Sequence, residues 1–471
     1  MKDLGLTYPY KKLDPIFYND EVTIPLKNPK LLSKNQQLIN EIGLELNDDE
    51  LTLLLNGKLE IKDFTPYAGA YSGHQFGYFT PNLGDGRALN FGSINGIHLQ
   101  TKGLGVTKYS RYADGRAVLR SSIREYLLSE AMNGLGIPTT RALALIGSDT
   151  TVYRDKTEKC AVVMRTSPSW IRFGSFEFAR IQHNVELSKQ LADFVIEESF
   201  PDLKKLSNKY EELFFRVVDK TITLMALWQS VGFMHGVMNS DNMNIAGLTI
   251  DYGPFAFMEE FQKDYVCNHS DKEGRYAFSN QPFIARWNLL VLAESFKKFA
   301  NHELLENYAN KFIPRFKDQY FAIMGKKLGF NSVQSDDREL ILEMFDILEI
   351  CKIDYTVFFY YLSCENYDGI ILMSENSEMI KMWLDKYQKR LEFETVLKSD
   401  RLFKMKKTNP KYVLKNYILQ DVIADIENGN TELLNDILAI AQDPYSEYPK
   451  YEKYALPTPK NLAGFICSCS S

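Results

Sequence analysis

No uncharged apolar run in the 471-residue chain approaches the ~18 residues that a membrane-spanning helix needs, which excludes a helical membrane protein. A basic surplus is missing too. Lys and Arg total 55 against 61 Asp and Glu, a net charge of -6, so no broad positive field exists for nucleic acid or anionic lipid, and any phosphate must be gripped locally. The amino-terminal MKDLGLTYPYKKLD has neither the apolar centre of a secretory signal nor the Arg/Ser-rich character of a transit peptide, so the cytoplasm is the expected location. There the six cysteines, Cys160, Cys267, Cys351, Cys364, Cys467 and Cys469, stay mostly reduced and build no disulfide framework. With only six His, the sequence offers no zinc-ligand pattern beyond a C-terminal CxC that is too small to be a site alone. No repeat and no low-complexity tract interrupts it.

What is present is globular material, 45% hydrophobic and 25% charged, enough for two or three packed units. Past an N-terminal extension (residues 1–60), residues 61–180 are rich in Gly and β-formers, as in YAGAYSGHQFGYF, RALNFGS, IHLQTKG and AVVMRT, and predict short strands. One helix interrupts them. Leu119, Ile123, Leu127 and Ala131 follow an i, i+4 row, with Asp114 upstream and Gly134, Gly136 and Pro138 as stop signals. Residues 181–300 turn helical, most clearly where Phe214, Val217, Val218, Leu224, Met225 and Trp228 form an apolar stripe that Gly232 ends. Residues 301–471 predict further charged helices, then an extended or loop-like tail from Asp443 onward. The fold class expected is α+β.

Phosphoryl or nucleotidyl transfer needs groups that hold a triphosphate, a metal that neutralises it and a carboxylate that steers the acceptor hydroxyl. The stretch Gly84-Asp85-Gly86-Arg87 serves either as a hairpin turn or as a phosphate cradle with one guanidinium. Lys102 ends a predicted strand and Glu125 lies on the next helix, an arrangement that positions phosphates in kinases and elsewhere is merely two solvated side chains. Asp114-Gly115 between them either closes over a nucleotide or caps the helix. Arg165 and Arg172 supply forks suited to terminal phosphates or to ordinary ion pairs.

The most specific stretch is HGVMNSDNMNIAGLTIDYG, residues 235–253. Asn242 and Asp251 are oxygen ligands of the kind Mg²⁺ or Mn²⁺ takes, and Asp251 begins an Asp-Tyr-Gly where kinases carry Asp-Phe-Gly. Aligned on Asn242, the kinase catalytic Asp falls on Val237, which cannot deprotonate a hydroxyl. Asp241 is the substitute carboxylate, and His235 is read as structural.

With YSGHQFG, LGDGRAL, SRYADGRAVLRSSIREYL, HGVMNSDN, DYGPF, CNHSDKEGRYAFSNQPFIARWNLLVLAE and NPKYVLKNY in order, the chain resembles the selenoprotein O family of protein AMPylases. The resemblance implies a two-lobed protein-kinase-like fold (lobes at residues 61–180 and 181–300) with a mainly helical C-terminal extension. It also implies ATP bound flipped relative to kinases, so that AMP passes to a protein Ser, Thr or Tyr hydroxyl and pyrophosphate leaves. By the same resemblance Gly84, Gly86, Arg87, Lys102, Asp114, Gly115, Arg165 and Arg172 bind nucleotide, Glu125 pairs with Lys102, Asn242 and Asp251 hold Mg²⁺ (or Mn²⁺), and Asp241 accepts the proton. Some members carry selenocysteine third from the end, where this chain has Cys469, and the family pattern implies a reversible Cys267–Cys469 disulfide. The rival expectations are a conventional kinase and an inactive ATP-binding scaffold.

Overall fold

The computed structural model describes residues 1–465. Nine strands form one antiparallel sheet: β1 (Tyr18–Asp20), β2 (Lys30–Lys34), β3 (Tyr67–Gln75), β4 (Tyr78–Gly84), β5 (Ala88–Ile94), β6 (Ile97–Lys102), β7 (Ala117–Val118), β8 (Arg141–Tyr153) and β9 (Thr157–Ser167). Their order is β1-β3-β5-β6-β9-β8-β2, with β4 also paired to β3 and β7 to β9. Both ends of that order come from residues 18–34, so the expectation of an N-terminal extension needs correcting. The sheet runs across residue 60 because β1 and β2 satisfy the open backbone groups of β3 and β8.

Period-two alternation sorts the side chains of β9 between two faces. Cys160, Val162 and Met164 join a cluster with Leu38 and Ile39 of α1 (Gln36–Ile42) and Leu51, Leu54 and Leu55 of α2 (Asp48–Leu55). Ala161 and Val163 face Ile123, Leu127 and Ala131 of α3 (Leu119–Gly134) in the largest core. Gly134, expected as a stop signal, is the last residue of α3, and it has a packing role besides. A Cβ there would lie 2.1 Å from the Ala441 carbonyl oxygen.

The helices that follow are α4 (Phe173–Ile181), α5 (Val185–Ser199), α6 (Lys209–Ser230) and α7 (Gln281–Phe296). Between α6 and α7 a two-stranded pair, β10 (Phe233–Met234) with β11 (Ala256–Phe257), ties together the two ends of the segment that carries Asp241 and Asp251. Helices α8 to α14 occupy residues 302–408; α8 packs into the largest core, and α9 to α14 help form a second core around Trp383. Helices α15 (Asn416–Glu427) and α16 (Glu432–Gln442) then return to pack on α3. The tail is not wholly extended as the sequence predicts: Pro449–Ala455 forms a 3₁₀ segment that buries Tyr451 and Tyr454. Among the described residues no helix is long and apolar enough to cross a membrane.

Candidate active site

Strand register builds the first wall of the site. Gln100 on β6 lies opposite Asn90 on β5 and opposite Arg165 on β9, while Lys102 lies opposite Val163, so Lys102 and Arg165 share the face that α3 covers. Arg165 donates to Gln100, and the Gln100 amide donates to Asn90 Oδ1 at 3.1 Å. From α3, Glu125 accepts from Lys102 Nζ and from Arg165 Nη1, each at 2.6 Å. All these polar groups are buried or nearly so, where an unpaired charge would cost several kcal/mol, so the sheet fixes a charge cluster that must be balanced from elsewhere.

Asp251 supplies the balance. Its carboxylate accepts from Arg165 Nη1 at 2.6 Å and from Arg172 Nη1, and lies 3.4 Å from Lys102 Nζ. Burial alone would raise this carboxyl, but Arg172, then Lys102 and Arg165, outweigh it and hold it well below the usual range. Asp251 also adopts φ +58, a left-handed conformation uncommon outside Gly and a frequent mark of functional sites.

The loop before it is set by His235, whose ring stacks on Trp228 at 5.4 Å and donates to the Ile250 carbonyl at 2.8 Å. Asn242 donates its side-chain amide to the Val237 carbonyl at 2.9 Å, which leaves its Oδ1 free of that contact. Arg172, just before α4, donates to the Asp241 main-chain carbonyl at 2.7 Å. The Asp241 side chain is buried, receives a long 3.4 Å bond from Gln75 at Oδ2, and has no partner at Oδ1. Burial pushes this carboxyl up to about 7.

The structure thus brings together Lys102, Glu125, Arg165, Arg172 and Asp251, with Asp241 and Asn242 on the adjoining loop. Arg87 is exposed, and its carbonyl accepts from Gly103 N–H at 2.7 Å. Gly84 and Gly86 are pressed against the segment after β6: a Cβ on Gly84 would lie 2.3 Å from the Tyr109 ring, and one on Gly86 2.9 Å from the Tyr109 carbonyl oxygen. Gly115 is equally confined, 2.1 Å from the Gly105 carbonyl at the Cβ position. Asp114 lies outside the cluster and pairs with Arg154 at 2.7 Å. The expectation that it caps α3 is corrected, since the N-cap is Val118 and no side chain caps that helix. Cys267 is buried, with its thiol 2.9 Å from the Pro254 carbonyl, while Cys469 lies outside the described residues.

Sequence reasoning missed Asn90, Gln100 and Gln75. For Gln100 a signal existed: His98, Gln100 and Lys102 alternate with Ile97, Leu99 and Thr101 along the strand.

Three cations converging on two carboxylates, beside an amide oxygen, form a donor set for polyphosphate and a hard divalent ion, as expected of a transferase that handles phosphate. The sequence model of a family described as "Protein adenylyltransferase SelO" matches residues 3–442. The chain is 42% identical over 475 residues to the protein nucleotidyltransferase YdiU of Vibrio atlanticus, covering 98% of each. It is 42% identical over 487 residues to that of Vibrio parahaemolyticus, covering 99% of each. Against that of Myxococcus xanthus it is 40% identical over 461 residues, covering 95% of this chain and 94% of the relative. The chain belongs to the protein adenylyltransferase SelO family, and its activity is that of a nucleotidyltransferase moving AMP to protein.

Proposed function

We propose that the acceptor is a Ser, Thr or Tyr hydroxyl of a cytoplasmic protein, that ATP is the donor and that Asp241 takes the proton. The nine-stranded sheet with α3, whose strands begin at residue 18, and residues 181–300 act as the two lobes of a protein-kinase-like scaffold, and ATP lies flipped so that its α-phosphate meets the acceptor. The observation that carries this reading is the environment of Asp241: a buried carboxyl with an unpartnered oxygen, pushed up to about 7, next to Asn242. A base poised near neutrality takes a hydroxyl proton far better than an ordinary carboxylate. The hydroxyl oxygen bonds to the α-phosphorus, the bond from that phosphorus to the bridging oxygen breaks, and pyrophosphate leaves with the electron pair. The proton passes to the Asp241 carboxylate and then to solvent.

Lys102, Arg165 and Arg172 share their charge between Asp251, Glu125 and the phosphates, with Arg87 and the Gly84–Gly86 and Asp114–Gly115 segments at the nucleotide's edge. The residues present fit a divalent ion, because Asn242 spends its amide nitrogen on Val237 and keeps its oxygen, and Asp251 is ionised. Asn242 and Asp251 would hold Mg²⁺ or Mn²⁺, which when bound neutralises phosphate oxygens.

The test uses ATP labelled separately at the α- and γ-phosphates, with Asp251→Ala as control. Label entering protein only from the α-position, and absent in the control, supports the reading. Label entering only from the γ-position makes the protein a kinase and overturns it.

A further inference from the structure

The hairpin that touches Asp241 also borders a cleft to which the reaction assigns no role. The turn between β3 and β4 is two residues long, Phe76-Gly77, with φ +51 and +89. Such primed turns favour Asn-Gly or Asp-Gly, so a bulky Phe at a left-handed position needs a reason. The reason is attachment. The Phe76 N–H donates to Asn239 Oδ1 at 3.1 Å and to the Tyr276 hydroxyl at 3.0 Å, and the His74 N–H donates to Ser240 Oγ at 2.7 Å. With Gln75 reaching Asp241, the hairpin tip is fastened to three consecutive residues of the loop, Asn239, Ser240 and Asp241.

Alongside that tip opens a cleft of about 510 Å³, lined by Phe76, Gly77, Tyr78, Arg275, Phe283 and Ile284. Tyr78 on the hairpin is 81% exposed and Phe283 in the first turn of α7 is 54% exposed. Large aromatics left in solvent on two different elements around one cleft mark an interaction surface. Arg275 adds a charge: its guanidinium lies against Gly77 and over the Trp287 ring at 4.8 Å, and among the described residues it makes no ion pair. Glu273 also lines the cleft and is exposed.

We infer that this cleft holds the segment of the acceptor protein that carries the modified hydroxyl, in extended form, with a large apolar side chain against Phe283 and Tyr78 and an acidic one on Arg275. The inference rests on the proposed role of Asp241. A hydroxyl must reach Asp241, and one wall of the cleft is the hairpin tip next to Gln75, whose amide donates to that carboxylate at 3.4 Å, so chain bound in the cleft lies one hairpin residue from the base's own contact. An extended acceptor region fits an opening between a hairpin and a helix end.

The experiment uses the full chain and fluorescein-labelled synthetic peptides centred on Ser: one carrying both a Phe and an Asp flank, one with Phe replaced by Ala, and one with Asp replaced by Lys. Anisotropy reports binding and α-labelled ATP reports transfer. The Phe/Asp peptide is expected to bind about tenfold tighter than either replacement. Phe283→Ala and Tyr78→Ala should each erase the preference for Phe while ATP affinity and melting temperature hold. Arg275→Glu should invert the choice between the Asp and Lys peptides, which a merely structural Arg would not do. Should Arg275→Glu fail to fold, the two exposed aromatic positions still decide the matter. Equal binding of all three peptides to the wild-type protein overturns the inference even when transfer occurs. Selective binding without α-label transfer instead sinks the proposed reaction and leaves the cleft standing.

Discussion

Asn242 is held by Val237: the side-chain amide of one donates to the main-chain carbonyl of the other at 2.9 Å. The residue that stands where a kinase keeps its catalytic Asp therefore works through its backbone, and its side chain is free to be valine. Any residue with a carbonyl in that place would do the same, whereas the Asn amide has no substitute.

Asn242→Leu is accordingly expected to lose AMP transfer by a hundredfold or more, while losing only about 1 kcal/mol of stability, the usual net worth of one hydrogen bond. Val237→Ala should keep both. Initial rates and thermal melts of the two purified variants check this.

The pH dependence follows from Asp241. Its working form is the carboxylate, so transfer should rise with pH through about 7 and level off above it. Stability runs the other way. The folded carboxyl lies above its unfolded value of 3.8, so burial favours the neutral form, and the protein becomes less stable as pH climbs from about 4 through about 7. Asp241→Asn should abolish transfer, raise the melting temperature at pH 8 by the equivalent of a few kcal/mol, and change it little at pH 4. An unchanged melting temperature at pH 8 would contradict the assigned burial of charge.

For Asp251 the sign reverses. Its folded carboxyl lies well below the usual value, so its stabilising contribution is present above the unfolded value near 4 and fades as pH falls toward the folded one. Asp251→Ala leaves Lys102 and Arg165 sharing Glu125, and leaves Arg172 with Asp85 at 3.9 Å as its nearest carboxylate. The expected loss is about 3–5 kcal/mol together with all transfer, so the control protein must be assayed below its own melting temperature. Chemical denaturation of the variant beside the wild type measures the difference.

Two glycines separate chemistry from folding. A Cβ on Gly73 would sit 2.4 Å from Asp241 Oδ1, whereas one on Gly174 would sit 2.1 Å from the Ser72 main-chain carbonyl oxygen. Gly73→Ala should displace the carboxylate and cut transfer at least tenfold with a small change in melting temperature, since its backbone needs no left-handed φ. Gly174→Ala must move backbone, and about 1–3 kcal/mol of stability is the expected loss.

Much of the cluster could be read in advance because its chemistry is local: Lys102 at a strand end, Glu125 on the next helix, and Asn242 and Asp251 within one short stretch. Their meeting depends on register, which alternation predicts once β6 and β9 are recognised as neighbours. Gln100 escaped because a buried amide has no motif, only a place opposite Arg165. Of the two readings of Asp114, the cap fails because its carboxylate pairs with Arg154, 40 residues on, which cannot be seen in sequence. Least legible of all were the contacts of α15 and α16 with α3. Buried Arg124, next to Glu125, donates to Asn416 Oδ1 at 2.9 Å across 292 residues of chain, and no periodicity announces such a bond.

Because β1 and β2 close the two sides of the sheet, the N-terminal residues act as its selvedge. Trimming the chain at residue 60, where composition changes, would leave the flanks of β3 and β8 with bare amides and carbonyls, open to pairing with a neighbouring molecule. Such a truncated protein should come out as aggregates or strand-exchanged dimers even with every residue of the catalytic cluster intact. Its inactivity would then say nothing about the chemistry.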